Sequence, residues 1–95
     1  MSKDFNVLDY QIEDNAFIRI FSEEIDEKEF VWHRDENERI IKVIHADVKW
    51  CFQFDNQLPF ELKSNDILNI KKHMFHRLYK GKGSLVLMIR EIKDV

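Results

Sequence analysis

The chain reads as an all-β fold, and three observations carry that reading. Short runs rich in Val, Ile, Phe and Trp recur every ~8–12 residues with turn signals between them, the spacing of a sandwich or barrel. No long segment repeats with the ~3.6-residue period of a helix. Hydrophobic residues make up 44% of the 95, with eight Phe and two Trp, enough for one core, so the chain is read as a single domain, 1–95.

The elements follow in order. Residues 1–22 are a lead-in followed by a strand at 16–21, whose alternation puts Phe17, Arg19 and Phe21 on one face and Ile18 and Ile20 on the other. The acidic segment 22–27 is a solvated connection, and a second strand runs from Glu29 to Trp32. A third covers 39–44, and His45-Ala46-Asp47 takes a turn, because β-like residues resume at once over 48–54. Asp55-Asn56-Gln57 is a turn, and 58–62 is a short strand that Pro59 confines to an edge. After a turn at 63–66 come short strands at 67–70 and 75–79, a hairpin loop at 80–84, and an apolar stretch, 85–92, suited to a central strand. With only two glycines and one proline, turn positions needing positive φ fall to Asn, Asp or His.

Charge narrows the function classes. A net charge of −3 without a long block of one sign speaks against a general nucleic-acid binder. No apolar run approaches the ~18 residues of a membrane span, and Met1-Ser2-Lys3-Asp4 lacks a signal peptide's apolar segment. One cysteine, Cys51, allows no internal disulfide, so a reducing, cytoplasmic setting is expected.

The segment Trp32-His33-Arg34-Asp35 carries the chemistry. On an extended backbone His33 and Asp35 share a face ~6.5 Å apart and can lean onto one ion. His76 would complete a two-histidine, one-carboxylate set, which suits non-haem Fe(II) and leaves positions open for substrate. A polar turn over 33–39 is the plainer reading of the same residues.

These residues resemble the cupin family in their order. Cupins carry His-x-His, then Glu, then Gly, followed by Gly-Asp, a strand and Pro-x-Gly-x-x-His. Here His33 and Asp35 take the two histidines, Arg39 the glutamate and Ala46 the glycine. Asn65-Asp66 stands for Gly-Asp, Lys71 for the proline, His73 for the glycine, and His76 for the metal-binding histidine. The resemblance implies a single-domain cupin-type jelly-roll β-barrel and a homodimer. It also implies a divalent metal on His33, Asp35 and His76, with Fe(II) first and zinc or nickel as alternatives. Arg39 departs from the pattern, since a guanidinium has no lone pair to give a metal. Asn65 and His73 replace glycines and can still adopt left-handed conformations.

The remaining candidates follow from that frame. Arg39 would orient an acidic group of a small polar substrate, or else form a salt bridge to Asp35 or a neighbouring Glu. Gln53 would orient a ligand or cofactor from a neighbouring strand, or else face solvent. Cys51 reads as an inert thiol. His45, Asp47, His73 and His76 form a rival zinc set. The five Lys and Arg residues between Lys71 and Lys82 read as a solvated face. The function expected is a metal-binding cupin, which if catalytic is an Fe(II)-dependent oxygenase, with a metal-free ligand-binding or assembly module as the alternative.

Overall fold

Alternating apolar residues make the strands, and one cluster of aromatic rings packs them. In the computed structural model, which describes residues 7–93, eight strands form two antiparallel sheets. They are β1 (Val7–Glu13), β2 (Ala16–Phe21), β3 (Glu38–Val48), β4 (Cys51–Phe54), β5 (Phe60–Glu61), β6 (Ile67–Ile70), β7 (His76–Tyr79) and β8 (Lys82–Ile92). One sheet has the order β1-β2-β8-β3-β6 and the other β5-β4-β7. The expected all-β jelly roll is present, with β8 central as its apolar sequence requires. The strand pairing leaves it an open sandwich instead of a closed barrel, which corrects that part of the expectation.

The core lies between the sheets. Trp50 is fully buried, and Phe21 and Phe30 meet it and each other at ring-centroid distances of 5.7 to 6.1 Å. Val43, Leu62, Ile70 and Leu85 close around them. The two edge-to-face pairs, Phe21–Phe30 and Phe30–Trp50, add about 0.5–1.5 kcal/mol each beyond the area they bury.

Several boundaries differ from those expected. β1 falls in the lead-in, whose first six residues lie outside those described. Its apolar alternation, Leu8, Tyr10 and Ile12, points outward on an edge strand and so does not read as a core face. The strand expected from Glu29 is replaced by a 3-10 turn, Glu27–Glu29, where the Asp26 carboxylate accepts from the Lys28 amide at 2.9 Å. Phe30 then drops into the core. β3 runs straight through His45-Ala46-Asp47, because two bulges absorb the irregularity and the Asp47 carboxylate accepts from the Ser84 amide at 2.8 Å. The turn comes later, at Lys49, with φ 65°, and interrupts the strand expected over 48–54. The strand around Pro59 shrinks to Phe60–Glu61, and β8 begins inside the expected loop, at Lys82.

Positive φ falls where the sequence predicts at Asn65 (77°) and His73 (66°). Lys49 is the addition that residue type does not announce. Gly81 tucks beneath β3 so closely that a Cβ would lie 2.2 Å from the Val48 carbonyl oxygen.

Candidate metal centre

His33 and His76 are brought together by the backbone. Each donates its amide to the other's carbonyl, His33 N to His76 O at 3.1 Å and His76 N to His33 O at 2.9 Å, as an isolated antiparallel bridge. Side chains opposite one another in such a bridge rise from the same face. The two imidazoles stand 4.3 Å apart between centroids, at 65°. Asp35 reaches them from the loop, which is pinned by the His73 amide donating to the Asp35 carbonyl at 2.9 Å. His73 can turn back this way because it sits in the left-handed region, at the position that aligns with a motif glycine.

Both histidines have a defined tautomer. The Nδ1 of His33 lies 3.1 Å from the Val31 carbonyl and that of His76 lies 2.9 Å from the Met74 carbonyl. A carbonyl can only accept, so Nδ1 carries a hydrogen in each ring, which in the neutral imidazole leaves the Nε2 lone pair free. This is the outer-shell arrangement that fixes a metal-binding imidazole. The ring of Phe52 stacks on His76 at 5.5 Å and 14°, holding its plane.

The Nε2 lone pair of His76 faces the Asp35 carboxylate, with Oδ2 at 3.3 Å. That oxygen is buried and has no hydrogen-bond partner. Burial pushes the His76 pKa below its ordinary value, against the smaller upward pull of its bond to Met74, so the ring is neutral near pH 7. Two acceptors therefore confront each other out of water, an arrangement that a shared cation relieves. His33, Asp35 and His76 offer ligand atoms that all lie within 4.8 Å of one another, the one such group of three among the described residues. The donor set thus fits a divalent ion.

Arg39, on β3, closes one side. Its Nη2 donates to Glu91 Oε2 at 2.9 Å and its Nη1 lies 3.6 Å from Asp35 Oδ2. Arg19, on β2, is clamped by Asp9 through Nε at 2.8 Å and Nη2 at 2.9 Å. Both arginines line a cavity of about 250 Å³ between the sheets, which His33, His76 and Glu29 also line. Arg19 thus meets Asp9, and Arg39 meets both Asp35 and Glu91, so one carboxylate at the site is left in excess of the two guanidiniums.

The other sequence candidates lie elsewhere. Gln53 stands on the opposite face of β4 from Phe52 and outside the cavity lining; its amide donates to the Gln57 carbonyl at 2.9 Å and accepts from the Tyr79 hydroxyl. The rival zinc set is dispersed, with His45 on Asp47 at 2.7 Å and His73 beside Glu36 at 3.7 Å. Burial raises the Cys51 thiol, which suits an inert side chain. Sequence reasoning missed Arg19, although a charge sharing a strand face with Phe17 and Phe21 was a usable signal. Glu91 gave none, since its pairing with Arg39 depends on the β3–β8 register.

No protein-family model and no curated protein matches the chain. Among solved structures, the chain is similar to a cupin-2 domain protein from Shewanella frigidimarina. The two share 17% identity over 98% of this chain and 85% of that one, with a TM-score of 0.65. It is also similar to the DMSP lyase DddQ from Ruegeria pomeroyi, at 14% identity over 87% and 41% of the two chains and a TM-score of 0.69. A third is the Fe(II) protein HppE, at 10% identity over 81% and 41%, TM-score 0.64. The chain spans less than half the length of the last two.

Proposed function

The chain has the fold of the cupin superfamily, and from that premise we propose that it is a divalent-metal protein. His33 Nε2, His76 Nε2 and an Asp35 carboxylate oxygen hold the ion, and a small molecule binds in the adjoining cavity. The observation that carries this reading is the buried Asp35 Oδ2, without a hydrogen-bond partner and 3.3 Å from an imidazole lone pair. Two nitrogens and one carboxylate favour Fe(II) in a three-ligand facial set, and zinc or nickel suits the same donors. The similarity to an Fe(II) protein, HppE, supports the choice of iron at the level of fold.

In this reading the protein is an Fe(II)-dependent oxygenase, and the metal supplies a Lewis acid and a meeting place for oxygen and substrate. The chain's own residues do the rest. Phe52 fixes the plane of His76, the carbonyls of Val31 and Met74 hold both imidazoles in the ligating tautomer, and Glu91 positions Arg39 against Asp35. Arg39 is in this account a positioning residue. A second reading, a ligand-binding module without redox chemistry, is favoured by the exposure of His33, which leaves one ligand open to water. A homodimer in a reducing, cytoplasmic setting completes the proposal.

The test is metal content. Wild type and an Asp35→Ala variant are loaded anaerobically with Fe(II), desalted and analysed for metal. About one ion per chain in wild type, lost in the variant, supports the centre; a wild type that retains none contradicts it. Oxygen uptake by the loaded protein with candidate substrates then separates the oxygenase from the ligand-binding module.

A further inference from the structure

The cavity beside the metal ligands has a composition that selects what can enter it. Of its fifteen lining residues ten are apolar, among them Phe21, Phe30, Phe52, Leu78, Leu87 and Ile89. Its polar groups are His33, His76, Arg19, Arg39 and Glu29. The arginines would ordinarily mark a site for an acidic substrate, but the Nε–Nη2 edge of each is already engaged. Nε and Nη2 of Arg19 are taken by Asp9 at 2.8 and 2.9 Å. Nε and Nη2 of Arg39 are taken by Glu91 at 3.3 and 2.9 Å, and its Nη1 faces Asp35 at 3.6 Å. A carboxylate entering at the Nε–Nη2 edge of either arginine would have to displace one of the chain's own, and Asp35, Glu91 and Glu29 together outnumber the one positive charge of Arg39 left after Arg19 pairs with Asp9.

Resting on the metal-centre reading for the headgroup alone, we propose that the ligand is a small molecule with an apolar body and one metal-coordinating polar group, carrying no second acidic group. The body lies along the aromatic and aliphatic wall and gains affinity by leaving water. The head group meets the ion at His33 and His76. The half-buried arginines pair with Asp9, Asp35 and Glu91 and leave the polar end of the cavity without a spare positive charge for a second acidic group.

The experiment compares straight-chain monocarboxylates from butanoate to octanoate, the dicarboxylates of the same lengths, and the matching 1-alkanols. Dissociation constants are measured calorimetrically on the full chain, with and without Zn(II). The proposal predicts that affinity for the monocarboxylates rises about fourfold per methylene until the cavity is filled. Dicarboxylates bind at least tenfold more weakly than monocarboxylates of equal length. Alkanols keep the chain-length dependence in the metal-free protein, so a failure of metal binding alone leaves the apolar-body proposal standing. In the metal-free protein, Val31→Asp, at an exposed position on the cavity lining, flattens the dependence for the alkanols while thermal stability stays at the wild-type value. Dicarboxylates binding as tightly as monocarboxylates, or affinity independent of chain length in protein with normal metal content, overturns the proposal and leaves the metal centre intact.

Discussion

At the scale of single residues, the site is a set of side chains each constrained by a partner that is not itself a ligand. In the proposed centre Glu91 acts at one remove, through Arg39 on Asp35. Glu91→Gln is predicted to weaken Zn(II) binding by about tenfold, the lower end of what outer-shell changes cost, with the fold retained. Competition against a chromophoric chelator measures it, and an unchanged affinity would remove Glu91 from the account. The grouping of His33, Asp35 and His76 was expected from the order of residues that resembles the cupin motifs, and the structure brings the three within 4.8 Å of one another. Arg19 was half readable, from a strand face it shares with two phenylalanines. Glu91 was not, since only the pairing of strands 52 positions apart places it on Arg39.

At the scale of elements, the turns explain where sequence reasoning held and where it failed. Asn65 and His73 were expected to take positive φ in the absence of glycine, and they do. Lys49 does so too, against its residue type, because β3 continues through the polar His45-Ala46-Asp47 and postpones the turn. Lys49→Gly is therefore predicted to stabilise the fold by about 1 kcal/mol, read as a rise in the denaturant midpoint at constant slope. In the facing turn Gly81 has no such freedom to change. A Cβ there would meet the Val48 carbonyl oxygen and the Trp50 amide at 2.2 and 2.5 Å, and these are backbone atoms that cannot swing aside. Gly81→Ala is predicted to cost at least ~2 kcal/mol in the same experiment. The missing strand at Glu29 has a related origin. Phe30 and Trp32 have β-type side chains, but Phe30 is drawn into the aromatic core, and the segment pairs only at His33.

At the scale of the whole molecule, stability and the proposed metal binding are predicted to be coupled through pH. His76 is pushed by burial below its ordinary value of 6.5, so the unfolded chain binds the additional proton. Its contribution to stability is complete above that ordinary value and is lost as pH falls through the lower folded one. Asp47 and Asp9 add a second decline at more acid pH. The Ser84 amide and the Arg19 guanidinium, respectively, hold them below the usual carboxylate range, and their contributions disappear on protonation. Thermal scans of metal-free protein are predicted to show a falling Tm below pH 6.5 and a steeper fall under 3.8, the ordinary Asp value. The His76→Gln variant should lack the first step. Metal at a hundredfold excess over its dissociation constant is predicted to add about 2.7 kcal/mol at neutral pH, and that gain to shrink in acid as protons compete for the His76 ring. The most direct test of the account is the X-ray absorption fine structure of the Zn(II)-loaded chain. The account predicts a shell of nitrogen and oxygen at about 2.0–2.2 Å, with the multiple scattering of two imidazoles and no sulfur. A sulfur scatterer, which would point to Cys51, or the signature of fewer than two imidazoles would contradict it.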